Sequence, residues 1–159
     1  MDILLQQIIN GLVQGSVYAL VALGYTMVYG ILGLINFAHG EVVMIGAMLA
    51  ISALTALLGV GVPPLLALPL SAGLAMLGCM ALGYGIERIA YRPLRHAPRL
   101  APLITAIGVS IVLQNLAMMV WGREYHSFPQ LIANNPHSIG GAIINEIQII
   151  IFVLALAIM

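Results

Sequence analysis

Four long stretches of this sequence, residues 8–37, 42–62, 65–86 and 100–121, contain no charged side chain. A helix needs ~20 apolar residues to cross the ~30 Å hydrocarbon core of a bilayer, and each stretch is long enough. Backbone in lipid must satisfy its own hydrogen bonds, which leaves helices and closed barrels. Barrel strands alternate polar and apolar residues over ~10 positions, and these stretches do not alternate. The fold class expected is all-α, a polytopic transmembrane helical bundle. A fifth apolar run, residues 147–159, is shorter than a span and reads as the start of another one. The expectation is therefore about four spans plus the start of a fifth, in a single membrane domain over residues 1–159 that continues past its last residue.

Composition narrows the function. Only 6% of residues are charged and mean hydropathy is +1.12, whereas an ordinary soluble domain is roughly a quarter charged. Net charge is zero, so there is no basic face to hold nucleic acid. The chain has no lysine, which removes the P-loop lysine and any Schiff-base lysine. Its one cysteine, Cys79, can make neither an internal disulfide nor a cysteine-based metal site. Asp2 stands where a cleavable signal peptide would be basic. No cofactor is expected.

Four of the five arginines, Arg88, Arg92, Arg95 and Arg99, fall between residues 88 and 99. The positive-inside rule places that segment in the cytoplasm. The polar loop 122–146 then lies outside, with Trp121 and Tyr125 as interface anchors. If the segment continued the third helix, its arginines would share one face, although Pro93 and Pro98 argue against a continuous helix. It serves as a topology signal that attracts anionic lipid, or as a surface for a cytoplasmic partner. Pro69, inside the third stretch, predicts a bend or a late helix start.

Small residues recur four apart, at Gly11, Gly15 and Ala19, at Gly46 and Ala50, and at Ala75, Cys79 and Gly83. Such rows let membrane helices approach closely, so they are read as packing faces within the bundle or toward a partner.

The segment Asn36-Phe37-Ala38-His39-Gly40-Glu41 interrupts the apolar pattern. Ionisable groups near lipid are costly and face a bundle interior or water. Asn36 is placed to cap the helix that follows, and Glu41 falls where the helix dipole favours negative charge. The segment is either an interfacial loop or a mid-membrane helix break of the kind transporters use for substrate sites. Asn36, His39 and Glu41 are the candidate pathway residues. On the fourth stretch, Ser110 and Gln114 share a face; Gln114 and Asn115 join the candidates. His39 and Glu41, two apart, do not make a metal site. An intramembrane hydrolase would have to rest on Ser110, which lacks a G-x-S-x-G frame.

Two blocks carry a family likeness. One runs from Asn10-Gly11-Leu12 through Gly15-Ser16-Val17-Tyr18-Ala19-Leu20 and Ala22-Leu23-Gly24-Tyr25-Thr26-Met27-Val28-Tyr29-Gly30 to Ile35-Asn36-Phe37-Ala38-His39-Gly40-Glu41. The other holds Glu87-Arg88, Tyr91-Arg92-Pro93-Leu94-Arg95, Arg99-Leu100-Ala101-Pro102-Leu103-Ile104, Ala106-Ile107-Gly108 and Leu113-Gln114-Asn115. Together they resemble the branched-chain amino acid permease family of ABC importers, over nearly the whole chain. The resemblance implies a multi-pass subunit of the bacterial inner membrane that passes leucine, isoleucine or valine inward. It implies as partners a second permease subunit, cytoplasmic ATP-binding subunits that hydrolyse the ATP, and an external substrate-binding protein. It also implies that the chain corresponds to the N-terminal half of a permease and is not itself an enzyme. The alternatives are urea or short amides as cargo, or a non-transporting membrane scaffold.

Overall fold

The computed structural model describes residues 2–33, 36–95, 97–98, 100–124, 126–129, 136–139 and 142–159. Arg99 and Tyr125, both singled out above, lie outside them. The helices are α1 (Asp2–Leu32), α2 (His39–Gly59), α3 (Pro64–Ile86), α4 (Leu100–Trp121) and α5 (Glu146–Ile158), with a two-stranded antiparallel ladder of β1 (Pro136–Ile139) and β2 (Ala142–Asn145) before α5. Four helical segments, within Ile3–Ile31, His39–Gly59, Pro64–Leu94 and Leu100–Trp121, are long and apolar enough to cross a membrane. The fold is that of a polytopic helical membrane protein.

The chain divides into two compact units, residues 1–30 with 130–159, and residues 31–129. In the first, the hairpin pairs Pro136 with Asn145 and Ile139 with Ala142, leaving Gly140-Gly141 as the dipeptide between the strands. Asn145 ends β2 and opens α5 through a capping box. Its backbone N–H donates to Gln148 Oε1 at 3.2 Å, and Gln148 Nε2 donates to Asn10 Oδ1 on α1 at 3.3 Å. One glutamine thus satisfies the helix start and ties α5 to α1.

The second unit is built on a helical hairpin of α2 and α3. Alpha2 ends in a Schellman turn: Val62 N–H reaches Leu57 O, Gly61 N–H reaches Leu58 O, and Gly61 has φ +86°. Only glycine takes that backbone without strain. Pro63 and Pro64 then start α3, where a missing N–H costs nothing. Alpha3 runs through Pro69; the late start expected from that proline does not occur, because Pro64 already sets the first turn.

The two helices meet where side chains are absent. A Cβ on Gly46 would lie 2.7 Å from Cys79 Sγ, and one on Gly78 would lie 2.6 Å from a Leu49 methyl. Cys79 Sγ approaches Val42 O at 3.7 Å. Lipid offers no hydrophobic drive to join helices, so such close contacts carry the packing. Gly11 and Gly15 on α1 are different: nothing within 4 Å would meet a Cβ there. We expect Gly15→Ala to leave thermal stability in detergent unchanged; a loss of several degrees would place an unseen neighbour against that face.

Beyond α3 the chain stays helical to Leu94, against the expectation from Pro93. It does so by changing pitch: Glu87–Tyr91 form a π turn, closed by Arg92 N–H to Glu87 O, and Arg92–Leu94 a 3₁₀ turn. Pro93 has no N–H and its ring crowds the carbonyl four residues back, which disfavours regular α-helical pitch at this point. The wider turn takes up the misfit.

Candidate functional site

Three elements of the second unit converge near the start of α2. Ala38 is its N-cap residue and makes no side-chain cap bond. Asn36 does not cap the helix as expected. It sits two residues before the N-cap, so its Oδ1 instead accepts from Ala38 N–H at 3.0 Å and fixes the turn that delivers the chain into α2. The same oxygen accepts from the Tyr91 hydroxyl at 2.7 Å. That bond ties the α1–α2 connection to the π turn after α3, so both lie on one side of the unit. His39 is the first residue of α2 and half-buried.

Glu41, the third residue of α2, reaches across to α4. Its Oε1 accepts from Ser110 Oγ at 3.0 Å and from Gln114 Nε2 at 2.7 Å. Among the described residues no arginine pairs with it; the ion pair found there is Arg95–Glu87 at 2.6 Å. Two neutral donors and the positive end of the α2 dipole therefore hold the carboxylate. The structure thus brings Glu41 together with Gln114, and Ser110 joins them. Asn115 is not brought in: its Nδ2 donates to Ile111 O of its own helix at 2.8 Å. Ser110, the serine that a hydrolase reading would need, spends its hydroxyl proton on Glu41.

A second clasp joins the same helices. Trp121 Nε1 donates to Ser52 Oγ at 2.7 Å. Glu41 and Ser52 are eleven residues apart on α2, as are Ser110 and Trp121 on α4. The helices therefore run parallel, pinned at two points about 16 Å apart. Between the pins pack Ile45, Leu113 and Ala117, with Leu49 and Val109 against them. Ser110 lies ten residues into α4, or about 15 Å, half the thickness of a hydrocarbon core. The Glu41 carboxylate is accordingly level with the middle of α4.

Sequence reasoning missed Tyr91 as the partner of Asn36, Ser52 as that of Trp121, and an amide cluster in the first unit. There Asn10 accepts from Gln6 and Gln148 beside a cavity of about 660 Å³ lined also by Gln14 and Tyr18. The signal available was Asn10 and Gln14, four apart in an apolar run. Of the arginines, Arg88 donates to Tyr84 OH at 2.6 Å and Arg95 to Glu87.

Residues 7–159 match the family described as "Branched-chain amino acid transport system / permease component". The chain is 49% identical to the high-affinity branched-chain amino acid transport system permease protein BraD of Pseudomonas aeruginosa, over 98% of this chain and 52% of that protein. It is also 49% identical to the permease proteins named LivH of Salmonella typhimurium and Escherichia coli K12, over 80% of this chain and 42% of theirs. The chain thus spans about half the length of the curated relatives it matches. No solved structure matches it. A match over nearly all of its length, joined to four helices long and apolar enough to cross a membrane, means that the chain belongs to the family of branched-chain amino acid transport permease components, multi-pass proteins of the inner membrane.

Proposed function

We infer that the chain forms part of the passage for branched-chain amino acids in an ABC importer, with Glu41 in the pathway wall. The observation that carries this is the Glu41 carboxylate, level with the middle of α4, with one oxygen held by Ser110 and Gln114 and no arginine against it among the described residues. A carboxylate in a span is expensive unless it meets water or a partner. Its second oxygen suits a passing ammonium group, which every zwitterionic amino acid carries. On this reading residues 36–41 lead from the level of Tyr91, where Asn36 is bonded, to membrane depth at Glu41, with α2 beginning partway along α4. His39 and Asn115 lie beside the path. As partners we propose a second permease subunit, cytoplasmic ATP-binding subunits and an external binding protein; residues 1–159 act as one permease domain within that assembly.

The test is competition. In cells carrying the complete permease, excess valine or isoleucine should displace labelled leucine, and urea or acetamide should not. Displacement by the amides alone would assign the chain to amide transport instead.

The orientation proposed puts residues 88–99 in the cytoplasm. With Cys79→Ala in place, Arg95→Cys should resist a membrane-impermeant thiol reagent in intact cells and react in inverted vesicles. Labelling in intact cells would reverse the topology.

A further inference from the structure

A cavity of about 590 Å³ lies between α3 with its π turn and α4, and its walls are almost wholly apolar. Leu82, Gly85, Ile89, Gly108 and Val112 line it, with Thr105 as the one hydroxyl. Two glycines open it. A Cβ built on Gly85 or on Gly108 meets nothing within 4 Å, so the space is a groove and not a packing notch like that at Gly46. It extends along α3 and the π turn from Ala81 to Ala90, about 13 Å, close to half of a ~30 Å hydrocarbon core, that is, one leaflet. The end at Ala90 runs into the arginine segment. There Arg88 is engaged by Tyr84 and Arg95 by Glu87. Arg92 is exposed, three residues past the groove-lining Ile89, and has no side-chain partner among the described residues.

We propose that this groove is a binding site for one anionic phospholipid, its acyl chain lying between Gly85 and Gly108 and its phosphate taken by Arg92. Three features select that occupant over a protein helix. The groove is one leaflet long, it is apolar to its end, and the charge stands only where a headgroup would be. A guanidinium grips phosphate oxygens bidentately. Three arginines against Glu87 repel the ammonium of a zwitterionic headgroup and favour a net negative one. The positive-inside orientation puts this end in the leaflet where anionic lipid concentrates.

The permease, purified from bacterial membranes in mild detergent, should retain phosphatidylglycerol in preference to phosphatidylethanolamine, as read by native mass spectrometry. Arg92→Gln should lower the retained fraction about fivefold, and Gly85→Leu or Gly108→Leu should lower it at least as much by filling the groove. Arg123→Gln, remote in sequence and equally exposed, should leave it unchanged. Equal retention of both lipids, or retention unaffected by Arg92→Gln, would overturn the proposal. So would cross-linking of Thr105→Cys to another protein chain in the membrane, since a helix would then fill the groove.

Discussion

Glu41→Ala, introduced into the complete permease, should lower leucine uptake by ~10- to 100-fold while the complex still assembles. The magnitude follows from the bond type: hydrogen bonds to a charged group contribute ~1.5–3 kcal/mol, and each ~1.4 kcal/mol is a factor of ten in rate. Assembly survives because the donors have an alternative. Ser110 and Gln114 sit on a helix, and a serine hydroxyl can turn back to the carbonyl four residues before it. Glu41→Gln separates clasp from charge. A glutamine oxygen can accept from Ser110 and Gln114 as Glu41 Oε1 does, so α2 and α4 stay pinned while the negative charge is gone. If the carboxylate faces the cargo, Glu41→Gln loses transport nearly as fully as Glu41→Ala. Uptake at the wild-type rate in Glu41→Gln would make Glu41 a purely structural clasp.

The second large effect concerns the α2–α3 hairpin. Gly46→Leu should cost ~1–3 kcal/mol by overpacking and show as a clear fall in thermal stability in detergent, because the first added carbon already lies 2.7 Å from Cys79 Sγ. The milder Gly46→Ala gives the sharper result. Alone it should destabilise; with Cys79→Ala, which removes the sulfur, it should recover most of the loss. That non-additivity, ~0.5–3 kcal/mol for residues in contact, identifies the sulfur–glycine notch as the cause. Equal loss in the single and double variants would mean that Gly46 is needed for its backbone and not for its missing side chain. Gly78 makes a gentler case, since the methyl facing it belongs to Leu49 and can rotate away.

The spans were legible because lipid leaves a chain so few choices. Charge-free runs ending at Gly59-Val60-Gly61 and resuming at Pro63-Pro64 mark a helix stop and a helix start by local chemistry alone, and α2, α3 and α4 begin and end within a few residues of those marks. The notch at Gly46 and Cys79 was legible as rows of small residues, but not which row meets which. The hairpin of β1 and β2 lies within what the sequence marks as a polar loop, residues 122–146. Gly140-Gly141 is a two-residue turn signal, yet Pro136-His137-Ser138-Ile139 lacks the alternation that marks a strand. The π turn is not legible in the sequence because Pro93 reads as a helix breaker, whereas a helix can also pass a proline by changing pitch.

The candidate site was legible in kind and not in arrangement. Glu41, Asn36 and Gln114 stood out because polar side chains are rare in these stretches. Their partners lie far along the chain, Ser110 and Gln114 69 and 73 residues from Glu41, and Tyr91 55 from Asn36. No local rule pairs residues at such distances. Asn115 shows the converse: it passed the same test of polarity and turned out to bond its own helix. A polar residue in a span must find a partner, and sequence cannot say whether that partner is a neighbouring helix, its own backbone or a passing ligand.

We propose that the Glu41 cluster borders a water-filled path for the amino acid. Thiol labelling of Gln114→Cys, in Cys79→Ala background within the complete permease, tests it most directly. A small hydrophilic reagent should modify position 114, and leucine delivered during active transport should slow the reaction several-fold. A thiol at 114 that stays unmodified, or that reacts at a rate indifferent to leucine, would place the cluster against protein or lipid and contradict the claim.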